Sequence, residues 1–193
     1  QTGDSIEVLF LPWGRAVQMV KIGLADALVG PYMTESRKEF LVYTDIPFRN
    51  DDMIVITKAG KQIPWNGKLP SIIDRTTIAI RHWDYGDEFD TQKERMTINT
   101  ANDLSQGLRM LLADRGEVLL ANAQSALYEM KKLSSMDDVS FLTPPIGTVR
   151  NYVAFSKAKA DHGLQDRFNA ALLNLQNSGR LSEIVSRHTL SKN

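Results

Sequence analysis

The alternation of apolar and polar positions divides the chain into short segments that switch between two periods. Ser5–Leu11 is a compact apolar run closed by Pro12 and predicts a buried strand. From Trp13 to Ile22 the apolar positions Ala16, Val17 and Val20 fall on one helical stripe that continues to Leu24. A short strand is expected within Ala25–Gly30, and Thr34 is placed to cap a helical turn over Glu35–Lys38. Asp52–Lys58 is rich in β-branched residues and predicts a strand. Residues 59–70 carry two glycines, two prolines and Trp65, the composition of a surface loop.

A second series follows. Strands are expected at Thr76–Ile80, Met96–Thr100 and Glu117–Ala121, and helices at Tyr85–Arg95, Asn102–Asp114 and Asn122–Leu133. Two more strands, Val139–Thr143 and Val149–Ser156, are expected on either side of Pro144-Pro145-Ile146-Gly147. The chain then reads as a helical pair. Leu164, Phe168, Leu172 and Leu175 share one face, Gly179 is a natural stop, and Leu181, Ile184, Val185 and His188 share the next. Strands alternating with helices predict an α/β fold with largely parallel sheets. One spacing repeats: the helices opened by Trp13 and Leu104 each lead, 13 positions on, to an acidic residue (Asp26, Glu117) that begins an apolar strand. Two similar lobes would produce this echo, and so would any ordinary helix-to-strand junction.

Composition narrows the classes. With 193 residues and 42% hydrophobic positions, the chain can bury a core without staples. Its 23 basic and 23 acidic side chains balance, so no charge bias draws it to nucleic acid or an anionic membrane. No apolar run approaches the roughly 20 residues that span a bilayer. The absence of cysteine excludes disulfides, thiolate metal sites and cysteine nucleophiles. Gln1-Thr2-Gly3-Asp4 does not have the look of a signal peptide, which suits an exported protein whose leader lies outside these residues.

No catalytic constellation is visible. His82, His162 and His188 sit in different elements, and HExxH, GxSxG, P-loop and GxGxxG patterns are absent. No cofactor or metal is expected. Two clusters have the character of binding residues instead. In Gly30-Pro31-Tyr32-Met33-Thr34-Glu35-Ser36-Arg37, backbone N–H groups and the Thr34 hydroxyl meet at a helix start, and Arg37 one turn on offers a bidentate fork for a carboxylate. A plain cap with a surface arginine would give the same pattern. Arg81-His82-Trp83-Asp84-Tyr85-Gly86-Asp87 follows a strand and precedes a helix, where open α/β sheets bind ligands. Trp83 and Tyr85 could equally cover the sheet edge, and Trp13 could be a core tryptophan.

A resemblance weighs on these alternatives. Leu11-Pro12-Trp13-Gly14-Arg15-Ala16, Gly23-Leu24-Ala25-Asp26-Ala27-Leu28, Thr34-Glu35-Ser36-Arg37 and Phe40–Phe48, in this order and spacing, resemble the family-3 periplasmic solute-binding proteins of amino-acid-type ABC importers. Asn169–Leu172 and Ser178–Ile184 match the family's ending. The resemblance implies a two-lobe type II periplasmic-binding-protein fold with hinge strands, entered one strand and one helix late. Crossings near residues 49–51 and 146–148 would then make lobe 1 of residues 1–50 plus 147–193, and lobe 2 of residues 51–146. By the same resemblance Arg37 holds a ligand carboxylate, with Thr34, Gly30 and Tyr32 around it, and Trp13 is an aromatic platform. His82, Trp83, Asp84 and Tyr85 form the lobe 2 loop. Asn122 stands where the family commonly has an acid for the ligand's α-ammonium, which argues against an ordinary amino acid.

The implied function is capture of a small polar carboxylate-bearing molecule, an amino acid or related small carboxylate, by hinge closure, in the periplasm or outside the cell, for an ABC transporter permease. No membrane insertion, nucleic-acid binding or enzymatic activity is expected. The alternatives are an extracellular sensing domain of a signalling protein, or a dehydratase or lyase on the same fold.

Overall fold

The computed structural model describes residues 3–159 and 162–189. Chain order runs α1 (Trp13–Lys21), β1 (Ala27–Val29), α2 (Glu35–Lys38), β2 (Leu41–Tyr43), β3 (Arg49–Lys58), β4 (Thr77–Ile80), α3 (Asp87–Gln92), β5 (Ile98–Ala101), α4 (Leu104–Leu112), β6 (Val118–Asn122), α5 (Ala123–Lys132), β7 (Val139–Asn151), β8 (Val153–Ser156), α6 (His162–Asn177) and α7 (Arg180–His188). The described residues divide into two compact units: residues 3–50 with Arg150–Thr189, and Asp51–Val149. The strands β3 and β7 carry the chain from one unit to the other.

In unit 1 the sheet order is β1-β8-β2, antiparallel in both pairs. Successive side chains on β8 point to opposite faces. On one face Tyr152 and Ala154 join Val20, Leu28, Leu41 and Tyr43 in a core that α1 covers with Trp13, Ala16 and Val17. On the other, Phe155 meets Phe168 of α6 edge-on, with ring centroids 5.6 Å apart. The αL residue that separates α6 from α7 is Gly179, at φ 73°.

Unit 2 is built on a five-stranded sheet of order β5-β4-β6-β3-β7. The pairs β4–β5 and β4–β6 are parallel, while β3 runs antiparallel to β6. Ile54, Ile56, Ile78, Ile80 and Leu119 pack beneath Leu104, Leu108 and Leu111 of α4 and Ala126 and Met130 of α5. The approach of α4 is close: a Cβ on Gly107 would lie 2.9 Å from the Ile80 side chain.

Three expectations are corrected. Ser5–Leu11 is not a strand, and Ile6, Val8, Leu9 and Phe10 stand in solvent, Phe10 at 93% exposed. An apolar run forms a strand only where a neighbouring strand accepts its ladder, and among the described residues this segment pairs with none of the three strands of the unit 1 sheet. The sheets are not largely parallel: the unit 1 sheet is antiparallel in both pairs, and in unit 2 the parallel pairs β4–β5 and β4–β6 are joined by β3 running antiparallel to β6. Pro144-Pro145-Ile146-Gly147 does not separate two strands but lies inside β7. β7 is an edge strand, where a proline's missing N–H costs no ladder bond.

Candidate functional site

In unit 1 the chain leaves β1 through Gly30, which adopts φ 90°, a left-handed conformation open to glycine at no steric cost. The loop is then held to β8: Gly30 N–H donates to the Tyr152 carbonyl at 2.9 Å, and Tyr152 N–H to the Pro31 carbonyl at 3.3 Å. Thr34 is extended and caps α2, its hydroxyl oxygen accepting the Arg37 N–H at 3.3 Å. The cap orients the turn so that the Arg37 side chain folds back over the loop. Its Nη1 donates to the Tyr32 carbonyl at 3.0 Å, and its Cζ lies 5.6 Å from the centre of the Trp13 ring. Such a cation–π contact contributes about 0.5–2 kcal/mol, depending on desolvation. Tyr43 Oη donates to the same Tyr32 carbonyl at 3.0 Å.

This geometry suits an anion. Among the described residues only Nη1 of the Arg37 guanidinium makes a hydrogen bond, so the Nε–Nη2 edge remains for a planar carboxylate. Trp13 is half-buried and backs the guanidinium while also packing on the unit 1 core. Gly30, Tyr32, Thr34, Arg37 and Trp13 are therefore brought together around one loop. Tyr43, whose hydroxyl shares the Tyr32 carbonyl, was not foreseen. A tyrosine in a buried three-residue strand carries no pattern that announces where its hydroxyl ends.

In unit 2 the parallel strands β4 and β6, with Thr77 opposite Val118, deliver the residues that follow them to the same carboxyl edge. There His82 is exposed and takes φ 65°, uncommon for a residue with a Cβ. The turn is closed by Trp83 N–H donating to the Ile80 carbonyl at 3.2 Å. Asp84 Oδ1 accepts the Gly86 N–H at 2.8 Å, a local turn of its own. Trp83 is half-buried against the unit 2 core, its ring 6.4 Å from that of Tyr85.

Tyr85 is 5% exposed, its ring 4.9 Å from Phe89 and its hydroxyl oxygen accepting the Ile80 N–H at 2.7 Å. That bond commits the phenol to holding the β4 terminus. Asn122 is 3% exposed and caps α5, with Oδ1 accepting the Ser125 N–H at 2.9 Å. The five residues thus share one sheet edge, with Tyr85 and Asn122 built into its framework and His82 exposed on it. Among the described residues no group of three or more histidine or carboxylate side chains could hold a metal ion.

Comparison with solved structures shows the same fold at low sequence identity. An ancestral arginine-binding protein bound to glutamine superposes with a TM-score of 0.81 at 16% identity, covering 96% of this chain and 80% of that one. A substrate-binding protein of an amino acid ABC transporter gives 0.75 at 19%, covering 94% and 78%. A histidine kinase sensor domain with similarity to periplasmic binding proteins gives 0.77 at 18%, covering 91% and 75%. No curated protein sequence matches the chain. Over residues 1–191 the sequence matches one family as a whole, and the chain belongs to the bacterial extracellular solute-binding proteins, family 3.

Proposed function

We propose that the protein captures a small, polar, carboxylate-bearing molecule outside the cytoplasm, closes on it by a hinge motion, and presents it to the permease of an ABC importer. One observation carries the reading: Arg37 is folded back between the Tyr32 carbonyl and the Trp13 ring, with its second N–H edge left open. An arginine meant only for solvent gains nothing from being held in place on two sides, whereas a carboxylate receptor loses less entropy on binding. Ligand binding then favours the closed state through the contacts that only that state completes. Likeness to a substrate-binding protein of an amino acid ABC transporter supports the transport role.

Asn122 supports a narrower choice within that class. A buried ammonium needs a compensating charge, and Asn122 is neutral with its oxygen already engaged in the α5 cap. The reading is therefore a carboxylate lacking a free α-ammonium. A second role, ligand sensing by a signalling protein, is favoured by the likeness to a histidine kinase sensor domain.

A thermal-shift screen of amino acids, opines, small acids and polyamines tests the reading. A ligand at about 100 times its dissociation constant adds roughly 2.7 kcal/mol of stability. Stabilisation by N-blocked or ammonium-free carboxylates supports the proposal, and stabilisation by polyamines alone overturns it.

A further inference from the structure

We infer that Tyr43 is a positioning residue for Arg37, acting through the carbonyl of Tyr32. The inference rests on the reading that Arg37 receives the ligand's carboxylate. The Tyr32 carbonyl has two lone pairs, and the structure fills both from defined directions: Tyr43 Oη at 3.0 Å and Arg37 Nη1 at 3.0 Å. The two donors differ in what holds them. Tyr43 is 8% exposed on β2, in the antiparallel ladder with β8, and its ring meets Tyr152 edge-on at 5.6 Å and 86°. Tyr43 and Tyr152 both belong to the unit 1 core. The phenol is a fixed stake.

Arg37, by contrast, projects from a four-residue helix and is half-buried. Tyr32 lies in the irregular stretch between β1 and α2, just past the Pro31 carbonyl that accepts the Tyr152 N–H. The stake therefore works from the core outward. Tyr43 fixes the carbonyl, the carbonyl fixes Nη1, and the Trp13 ring limits the guanidinium on its face. What remains is one N–H edge in a set orientation, which is pre-organisation of a bidentate receptor. A phenylalanine at position 43 would fill the same core volume and keep the ring contact with Tyr152, but it would remove the core-anchored donor of the two that hold the Tyr32 carbonyl.

The test uses the full chain labelled with 15N-arginine and needs no ligand. The Arg37 Nε–Hε signal is assigned by its loss in Arg37→Lys. In wild-type protein, rotation of the Arg37 guanidinium is expected to be slower than that of Arg15. In Tyr43→Phe it is expected to accelerate ~2–10-fold, the factor for loss of one net hydrogen bond, while the Arg75 signal is unchanged. Should Tyr43→Phe fold poorly, 3-fluorotyrosine incorporation keeps the ring and strengthens the phenol as a donor, so Arg37 rotation should slow. Equal Arg37 rotation in wild type and Tyr43→Phe, or in wild type and the fluorinated protein, overturns the inference. A separate failure, Arg37→Ala leaving ligand affinity unchanged, would remove the carboxylate reading and leave the Tyr43–Arg37 linkage standing.

Discussion

Asn122 joins fold and ligand preference in one side chain, and its two roles separate by substitution. Asn122→Ala removes the Oδ1 that accepts the Ser125 N–H at 2.9 Å, at a position only 3% exposed. Loss of an N-cap costs about 0.5–2 kcal/mol, and here it leaves a part-buried N–H without its acceptor. Asn122→Asp keeps the acceptor and sets a negative charge at the start of α5, a helix of ten residues, which contributes about 0.3–1 kcal/mol. Burial of the carboxylate opposes that gain. We expect Asn122→Asp to remain within about 1 kcal/mol of wild type and Asn122→Ala to lose about 1.5 kcal/mol. Urea unfolding followed by circular dichroism measures both. Calorimetry of Asn122→Asp with standard L-amino acids measures the other role, and binding should strengthen relative to wild type. Asn122→Ala with wild-type stability would refute the cap, and wild-type protein binding an ordinary amino acid at submicromolar concentration would refute the ligand assignment.

Other expectations concern the edge of unit 2 and its charges. At His82 the left-handed φ of 65° penalises any Cβ, so His82→Gly should exceed His82→Ala in stability by about 1 kcal/mol; equal urea midpoints would show that the turn carries no strain. Hydrogen bonds from the Arg75 guanidinium at 2.9 Å and the Thr76 N–H at 3.2 Å hold the Glu117 carboxyl below its ordinary value of 4.5. A folded-state pKa below the unfolded one contributes stability above the unfolded value and loses it as pH falls through the folded value. Arg75→Gln should therefore remove part of the stability lost below about pH 4.5 while costing less than about 1 kcal/mol at neutral pH, since both side chains are about one-third exposed. An unchanged acid profile of the urea midpoint would contradict this.

What the sequence discloses depends on whether the deciding partner is near along the chain. The α2 cap was legible because Thr34 and the N–H it accepts are three residues apart. The helices α4 and α5 were legible because each apolar stripe faces a strand adjacent in sequence. The Asp26 and Glu117 junctions were visible as spacing, but their ion partners, Lys159 at 2.9 Å and Arg75 at 2.9 Å, lie elsewhere in the sequence. Ser5–Leu11 had a strand's pattern, yet pattern cannot supply the neighbour that a ladder needs. The short β2 went unseen, and with it the place of the Tyr43 hydroxyl, whose partner carbonyl lies eleven residues back along the chain. Of the site, Arg37 and Thr34 carried a local signature, whereas the commitment of Tyr85 to the Ile80 N–H depends on how the chain turns back after β4.

The central claim, that Arg37 receives a carboxylate, is tested most directly by isothermal titration calorimetry of wild type, Arg37→Lys and Arg37→Ala with the carboxylate identified by the thermal-shift screen. Truncating one partner of a charge-assisted pair costs about 2–5 kcal/mol, so Arg37→Ala should weaken binding by that amount. Arg37→Lys should fall between, since an ammonium keeps the charge but loses the planar fork. Affinity in Arg37→Ala equal to that of wild type would contradict the account.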